Sequence, residues 1–305
     1  MKQIFLILAC FISFMAKSQL PETNIYLLDI ERDYKGIHFG SPRVISKGNG
    51  YNNQPYFTPD EKYILYSASV DTVNTEIFRY DLKKKKSKRI TRTAEQEFSP
   101  RYTADDENLS CVRVEKDRTT QHFVSLHMKG KKPHVIQPER KLIGYYEWLN
   151  VNEYLAFDLP EPFYLTRHHL VNGKSDTLAQ NIGRTFYFLR TKNKVVYLDK
   201  SDSLHWVIRT IAPENLRRSR KKANLENPVL SDVFEGEEDF CFLRDGSILM
   251  GHEGVLYYKK NPFTHPESKW EKMLDLKSYG IEKFTRIAIS PDNSKLALVA
   301  TRKNK

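Results

Sequence analysis

The sequence is poor in cysteine, with three among its 305 residues. Cys10 lies in an N-terminal apolar segment, so Cys111 and Cys241 are the two that a folded domain would retain. An exported chain could join them, but a disulfide requires Cα atoms within about 7 Å of each other. The repeat described below assigns the two residues to nearly opposite blades. We therefore expect two buried free thiols.

Long apolar runs are also scarce. The apolar residues 4–15 follow the positively charged Lys2 and are too few to span a bilayer. Ala16 and Ser18 are small residues at the two positions that a signal peptidase recognises. We predict a signal peptide over residues 1–18 and an exported chain, periplasmic or secreted, with no transmembrane segment after the signal. A lipoprotein signal ending at Cys10 is the alternative, with an apolar region of only about six residues.

Common catalytic fingerprints are missing as well. The sequence has no Gly-x-Ser-x-Gly, P-loop or Gly-x-Gly-x-x-Gly pattern. No pair among its nine histidines has the spacing of zinc ligands with a third ligand nearby. The adjacent His168 and His169 would point to opposite faces of a strand. We therefore predict no catalytic residue, no metal site and no cofactor.

What the sequence does contain is a pattern repeated six times, in which an apolar run leads into a tight polar turn and a second apolar run follows. The copies occupy residues 54–68, 99–114, 144–159, 185–199, 239–253 and 285–300. Six equivalent residues, called the reference positions below, are Phe57, Tyr102, Trp148, Phe188, Phe242 and Ile289. Their spacing of about 40 to 54 residues is typical of one four-stranded propeller blade.

The two apolar runs of each copy have the character of strands that are packed on both faces, so we assign them to the inner strands of a blade. A second hairpin follows each of the first five copies. For the sixth, residues 24–30 and 42–46 form a third and fourth strand that lack a preceding inner pair. Docking them on residues 285–300 would close the ring. The predicted fold is all-β: a monomeric six-bladed β-propeller over residues 19–305, closed by N-terminal strands that complete the last blade.

One segment departs from the repeat. Residues 212–238 contain a basic block at 217–222 and an acidic run at 235–238. We predict that they form an insertion in the fourth blade, partly helical or mobile. Insertions in repeat proteins often contribute to binding surfaces.

The first repeat, over residues 54–91, also resembles the repeat of TolB-like β-propellers. In that repeat a Pro-Asp turn leads into an apolar strand, a polar loop, a strand ending in Asp and a Leu/Ile-Thr close. The matching residues are Pro59, Asp60, Asp81, Ile90 and Thr91, with Pro291 and Asp292 in the sixth copy. The resemblance implies a six-bladed periplasmic propeller that acts as a docking surface. Because these are turn and packing residues, it implies a fold and no particular site.

Positive charge is the most informative property for function. The formal net charge is +11, and loss of residues 1–18 removes Lys2 and Lys17, which lowers it to +9. Such a surplus favours an anionic partner. In a propeller the turns joining the third and fourth strands all lie on one face, and here these turns are basic. The candidate binding residues among them are Lys83, Lys84, Lys85, Lys86, Arg217, Arg218, Arg220, Lys221 and Lys222.

We predict that these turns form a basic rim that attracts anionic partners, together with the lysines at 129, 131, 132, 174, 259 and 260. Lysines that merely solubilise exposed turns and discourage edge pairing are the alternative. The opposite face carries the loops between blades. Its candidate binding residues are Tyr51, Arg140, Tyr146 and Arg184, although ordinary loops have a similar composition.

The channel itself is predicted to be apolar. Two residues before each reference position the inner strands carry Pro55, Pro100, Tyr146, Phe186, Phe240 and Ile287. A calcium-dependent hydrolase of the lactonase type would need oxygen ligands that converge there. The scattered candidates for such ligands are Glu97, Asp158, Asp199 and Asp239.

The function that these patterns favour is a non-catalytic, exported propeller that docks a protein or an anionic envelope component. A metal-dependent hydrolase with its site at the central channel is the alternative. A carbohydrate-binding module that uses Tyr51, Tyr145 and Trp148 is a third option, against ordinary packing of those rings within the blades. Nucleic acid is not expected as a partner, because no nucleic-acid-binding module is recognised.

Overall fold

The computed structural model describes residues 20–34, 36–212 and 227–301 of the chain. In these residues, strands form six antiparallel sheets, each of which is one blade of a propeller. A short 3-10 helix at Lys277–Tyr279 is present. None of the described helices is long and apolar enough to cross a membrane. The predicted signal peptide, its cleavage position and Cys10 lie outside the described residues.

The first three strands of the chain belong to the last blade, and two complete blades follow them. These initial strands are β1 (Thr23–Asp33), β2 (Gly36–Phe39) and β3 (Arg43–Val44). Blade 1 contains β4 (Asn52–Phe57), β5 (Tyr63–Ser69), β6 (Thr75–Asp81) and β7 (Lys86–Arg89). Blade 2 contains β8 (Gln96–Tyr102), β9 (Asn108–Val114), β10 (Gln121–His127) and β11 (His134–Val135).

Blades 3 to 5 repeat the same four-stranded arrangement, and two inner strands then begin blade 6. Blade 3 contains β12 (Ile143–Asn150), β13 (Glu153–Asp158), β14 (Tyr164–His169) and β15 (Ser175–Gln180). Blade 4 contains β16 (Ile182–Leu189), β17 (Lys194–Asp199), β18 (Val207–Ile211) and β19 (Val229–Asp232). Blade 5 contains β20 (Phe240–Phe242), β21 (Ile248–His252), β22 (Val255–Lys259) and β23 (Trp270–Asp275). The inner strands of blade 6 are β24 (Phe284–Ile289) and β25 (Lys295–Thr301).

The ring closes through the N-terminal strands, which confirms the prediction. β1 pairs antiparallel with β25 from Thr23 opposite Thr301 to Asp29 opposite Lys295. On the other edge of β1, β3 pairs near Tyr26 and β2 pairs farther along, from Ile30 onward. The outermost strand of blade 6 is therefore split into two pieces, of which the sequence pattern indicated only the second.

The insertion predicted at residues 212–238 is shorter than expected. β19 pairs with β18 as the fourth strand of blade 4, so residues 229–232 belong to the blade itself. The acidic residues that follow form a loop between blades 4 and 5, in which Glu237 and Asp239 are buried. The basic block at residues 217–222 lies outside the described residues.

The core lies between neighbouring blades, where apolar faces of adjacent sheets meet. Between blades 2 and 3, the ring of Phe123 packs 4.2 Å from Tyr146 and 4.7 Å from Tyr154, measured between ring centroids. Cys111 and Cys241 are buried free thiols in two different core clusters. The prediction for these two cysteines is thus confirmed.

The two faces of the ring differ in the connections that they carry. One face, called the turn face below, has the turns that join strands one and two and strands three and four of each blade. The other, called the loop face, has the connections between strands two and three and between successive blades. This assignment follows from the antiparallel strand order within every sheet.

A bulge in the first strand of several blades shapes the channel wall. The register of β4, β8 and β24 against their partners shifts next to Gln54, Ser99 and Arg286, each three residues before a reference position. These residues have left-handed backbone conformations, with φ of 57°, 52° and 54°. A bulge inserts an extra residue and redirects the side chains beside it.

Candidate functional site

The candidate site is the central channel, a cavity of about 520 Å³ whose wall includes residues from the first strand of all six blades. The six apolar residues predicted to form this wall are all buried: Pro55, Pro100, Tyr146, Phe186, Phe240 and Ile287. The residues that lie one or three positions before each reference position also line the cavity, and several of them are polar or charged. The six predicted residues thus line the channel, but they form only part of its wall, because the polar and charged neighbours line it as well.

An arginine pair around one carboxylate occupies the channel near the loop face. The guanidinium of Arg184 donates to both oxygens of Asp239, with Nε 3.2 Å from Oδ1 and Nη2 2.5 Å from Oδ2. Burial raises the pKa of Asp239, but the charges of Arg286 and Arg184 outweigh burial and hold the pKa below its usual value. Asp239 is therefore ionised at neutral pH.

Arg286 approaches this group from the last blade. Its Nη2 donates to the hydroxyl oxygen of Tyr145 at 2.7 Å, and its guanidinium lies 4.9 Å from the centroid of the same ring. Tyr51 is buried nearby and interacts electrostatically with Arg286, Tyr145 and Arg184; burial raises the pKa of its hydroxyl. Aromatic rings thus lie beside two guanidinium groups, of which that of Arg184 forms an ion pair with Asp239.

A second ion pair lies in the channel between blades 2 and 3. Nη1 of Arg101 is 2.6 Å from Oε2 of Glu147, and the guanidinium is 5.4 Å from the centroid of the Tyr56 ring. Burial raises the pKa of Glu147, and the positive charges of Arg101 and Arg190 offset only part of this rise. The charge of Arg101 is thus balanced within the wall.

Two further arginines stand at the turn-face end of the channel. Arg190 donates to the backbone carbonyls of Leu149 at 3.0 Å and Trp148 at 3.3 Å. Arg244 is exposed. The cavity lining as a whole contains five arginines and two carboxylates, Glu147 and Asp239. The channel is therefore electropositive.

A salt-bridge network outside the channel holds Arg184 in position. The backbone N–H of Arg184 donates to Oε2 of Glu238 at 3.0 Å, and Nζ of Lys200 lies 2.8 Å from Oε1 of the same carboxylate. Lys200 also lies 4.0 Å from the ring centroid of Trp206. The acidic run that the sequence assigned to a partly helical or mobile insertion is thus part of the structure that builds the channel.

The candidate residues predicted for the loop face separate into two groups. Tyr51 and Arg184 come together around Arg286, as described above. Tyr146 is buried, with its hydroxyl 3.0 Å from both the Ser99 carbonyl and Ser110 Oγ. Arg140 lies elsewhere, because its Nη2 is 3.1 Å from Ser175 Oγ on the outer strand of blade 3.

The basic rim is in part where the sequence placed it. Lys83, Lys84 and Lys85 are exposed on the turn between β6 and β7, and Lys86, also exposed, begins β7. Lys259 does not belong to an exposed rim, because it is buried and its Nζ lies 2.6 Å from Asp232. Arg217, Arg218, Arg220, Lys221 and Lys222 lie outside the described residues.

The histidines and carboxylates show no grouped set of metal ligands. Within residues 20–34, 36–212 and 227–301, no three His, Cys, Asp or Glu side chains are arranged to hold a metal ion. His168 is buried against the Tyr154 ring at 4.8 Å, whereas His169 lies 2.8 Å from Glu153 and 2.9 Å from Asp176. The two neighbours therefore have different environments, as their strand positions predicted.

Sequence reasoning missed Arg101, Glu147 and Arg286, and it treated Asp239 only as one of several scattered carboxylates. All four occur either one or three residues before a reference position. That fixed offset was the available signal. It was missed because only the residue two positions before the reference was taken to face the channel, whereas the residues one, two and three positions before it all line the cavity.

No protein-family model and no curated protein matches this sequence. Solved structures do match. A protein from Agrobacterium tumefaciens assigned as TolB has a TM-score of 0.67 at 11% identity, over 93% of this chain and 99% of that one. A gluconolactonase from Xanthomonas campestris has a TM-score of 0.61 at 9% identity, over 94% and 99% of the two chains. An oligogalacturonate lyase from Vibrio parahaemolyticus has a TM-score of 0.54 at 10% identity, over 93% and 99%.

At these identities the likeness concerns the fold and not the activity. The three proteins include a TolB assignment and two enzymes, so one fold serves different functions. This chain is a six-bladed β-propeller similar in structure to TolB-like propellers.

Proposed function

We propose that the protein is an exported, non-catalytic docking propeller whose central channel receives a carboxylate-bearing group of a partner protein or of an anionic envelope component. The observation that carries this proposal is the unequal pairing of two arginines of the channel wall. Arg184 forms ion pairs with Asp239 and Glu238, whereas the Arg286 side chain has no carboxylate within 4 Å among the residues that the structure describes. An incoming carboxylate would supply the ion-pair partner that Arg286 lacks there.

The chemistry of the site suits a carboxylate. A guanidinium presents its N–H donors in a planar fork that matches two carboxylate oxygens, and the Nη2 of Arg286 is used on a neutral hydroxyl, that of Tyr145. The group lies in a partly buried channel, where charges are screened less than on an open surface. An incoming anion would therefore be attracted more strongly here than at exposed lysines.

The scaffold supports binding because it is held rigidly. Arg184 is fixed by Asp239 on its side chain and by Glu238 on its backbone. The bulge at Arg286 sets the direction in which its side chain leaves β24. Preorganised donors of this kind lower the ordering cost of binding.

The ionisable groups of the channel favour binding over catalysis. Asp239 is held ionised between arginines, and Glu147 is bonded to Arg101. Burial raises the pKa of the Cys241 thiol, which lines the cavity, to about 12, so the nucleophilic thiolate is scarce at neutral pH.

A hydrolase or lyase acting on an acidic sugar or a lactone is the second candidate. It is favoured by the gluconolactonase and the oligogalacturonate lyase among the similar structures, together with the electropositive channel. A metal-dependent mechanism has less support, since the two channel carboxylates are each engaged by an arginine. Elemental analysis of the purified protein for calcium and zinc, with thermal stability measured after adding each ion, would test that candidate.

The docking proposal is tested by calorimetric titration with a glutamate-rich peptide and a matched glutamine-rich peptide. The wild type should bind only the acidic peptide, and Arg286→Gln should weaken binding by tenfold or more, since about 1.4 kcal/mol corresponds to a factor of ten. Lys47→Gln, on an exposed loop away from the channel, is the control. Equal binding of both peptides, or an unchanged affinity of Arg286→Gln, would refute the proposal.

A further inference from the structure

The turn face carries a continuous group of exposed lysines along blades 1 to 3. They occupy the turns between the third and fourth strands of these blades and the start of β7. This group, called the lysine sector below, consists of Lys83, Lys84, Lys85, Lys86, Lys88, Lys129, Lys131, Lys132 and Lys174, all exposed. The three blades are consecutive in the ring, so the charges lie along one side of one face.

These lysines are hardly neutralised by carboxylates within the described chain. Only Lys84 has a carboxylate within 4 Å among the residues that the structure describes, with Nζ 3.9 Å from Oδ2 of Asp81. Asp81 is mainly used to order the turn, because its Oδ1 accepts the backbone N–H groups of Lys83 at 3.1 Å and Lys84 at 2.8 Å. The turn is thereby fixed while its ammonium groups extend into solvent.

Two aliphatic side chains project beside the lysine sector in blade 3. Val151 is 55% exposed and Val171 is 81% exposed, and both lie on turns of the turn face. A backbone hydrogen bond of 2.9 Å from Leu170 N to Asn152 O holds these two turns side by side. The exposed lysine next to them is Lys174. The sector therefore combines positive charge with a small apolar tip.

From this combination we propose that the lysine sector docks the propeller on the surface of a bilayer that contains anionic lipids. Clustered lysines are attracted to an anionic membrane, and small apolar side chains can enter its interfacial region. Acidic protein surfaces fit less well, because lysine is depleted at protein–protein interfaces, where arginine and aromatic residues are enriched. Within the turns of the sector, all the cations are lysines.

The inner turns of the same face limit how the bilayer can be approached. The turns joining strands one and two of blades 1 and 2 are acidic, with Asp60, Glu61, Asp105, Asp106 and Glu107 exposed. An anionic surface would repel them, so contact is confined to the outer edge of blades 1 and 2 and to the two turns of blade 3 that carry Val151 and Val171. The loop face then points away from the bilayer. The Arg184 and Arg286 end of the channel consequently stays open.

The test is co-sedimentation of the full mature chain with vesicles of phosphatidylcholine, alone or mixed with phosphatidylglycerol. The wild type should sediment only with the mixed vesicles. Raising the ionic strength from about 0.1 M to about 1 M shortens the Debye length from about 10 Å to about 3 Å, so binding should fall steeply. Each lysine near an anionic surface strengthens binding roughly fivefold, so the triple change Lys83→Glu, Lys85→Glu and Lys86→Glu should weaken it about a hundredfold or more.

A matched variant separates position from net charge. Lys47, Lys141 and Lys283 are exposed on loop-face connections, and changing all three to Glu alters the net charge by the same amount. This control should retain at least a third of the wild-type affinity, and Val171→Asp alone should weaken binding severalfold. Equal loss in both triple variants, or binding to neutral vesicles, would overturn the inference. Absence of vesicle binding, together with capture on immobilised polyglutamate that the Lys83, Lys85 and Lys86 variant loses and Arg286→Gln keeps, would also overturn it and assign the sector to acidic proteins.

Discussion

Arg184 and Asp239 stand 55 residues apart in the chain, yet two hydrogen bonds join them across the boundary between blades 4 and 5. The pair ties β16 to the residue immediately before β20. It also sets the charge of the channel, because Arg286 lies near the same carboxylate. Asp239 thus acts as both a structural partner and an internal competitor for any anion that enters.

Replacing Asp239 with Asn should affect stability and binding in opposite directions. Arg184 loses an ion-pair partner and Arg286 loses a nearby negative charge, which should lower the free energy of unfolding by about 1–3 kcal/mol. Removal of the competing negative charge should raise affinity for the glutamate-rich peptide by roughly tenfold, about 1.4 kcal/mol. Urea unfolding and calorimetric titration measure the two effects. A loss of affinity would show that Asp239 itself contacts the ligand.

The two thiols provide a separate test of the core. Cys111 and Cys241 are both buried, and burial raises the pKa of each thiol. In protein that lacks residues 1–18, a thiol-specific chromogenic reagent should therefore react with neither cysteine in the folded state. Both should react after unfolding in guanidinium without a reductant. Only one or no reactive thiol in denaturant would indicate an oxidised or modified cysteine.

The repeat predicted the fold well because its signal is local. The run from Tyr63 onward that forms β5 is apolar, and the Pro-Asp turn before it identifies the hairpin without any long-range information. Ring closure also followed from counting strands, since β1 lacked a preceding inner pair. β19 was missed because it has only four residues, Val229–Asp232, and these are only partly apolar. Its pairing with β18 identifies it as a strand, which its composition does not.

The site was harder to predict than the fold, because a bulge leaves no clear mark in an alternating pattern. Gln54, Ser99 and Arg286 have positive φ, and residues of these types do not indicate such a backbone conformation in a sequence. One extra residue in a strand exchanges the faces on which the neighbouring side chains lie. In blade 5, where β20 pairs with β21 without a register shift, both Phe240 and its neighbour Asp239 line the cavity, and Asp239 provides the charge.

Glu97 should make stability depend on pH. Its carboxyl is buried between blades 1 and 2, and this burial raises its pKa to about 8. A hydrogen bond from Thr93 lowers the pKa in part, whereas the negative charge of Glu76 raises it further. The folded state therefore holds a proton that the unfolded chain releases near its ordinary pKa of about 4.3. Stability from this group is fully present below that pH and is lost as the pH rises through about 8.

The Glu97→Gln variant should remove this dependence. The wild-type free energy of unfolding should fall between pH 5 and pH 9 by an amount on the order of 3 kcal/mol, and the variant should lose most of that slope. Guanidinium unfolding across this pH range measures both. Glu107→Gln, at an exposed carboxylate in blade 2, should leave the slope unchanged. A rise in wild-type stability over the same interval would contradict the assignment.

Gly130 and Gly173 occupy corresponding turns between the third and fourth strands of blades 2 and 3, and they should differ in tolerance to alanine. Both have positive φ, at 70° and 66°, so each substitution carries a left-handed backbone cost of about 1 kcal/mol. A Cβ at Gly130 would lie 2.5 Å from the carbonyl oxygen of Ile90 in blade 1, whereas at Gly173 nothing lies within 4 Å. Because the obstacle is backbone of the adjacent blade, Gly130→Ala should cost about 3 kcal/mol in total, against about 1 kcal/mol for Gly173→Ala. Urea unfolding compares the two directly, and equal losses would show that blades 1 and 2 can separate enough to admit the methyl group.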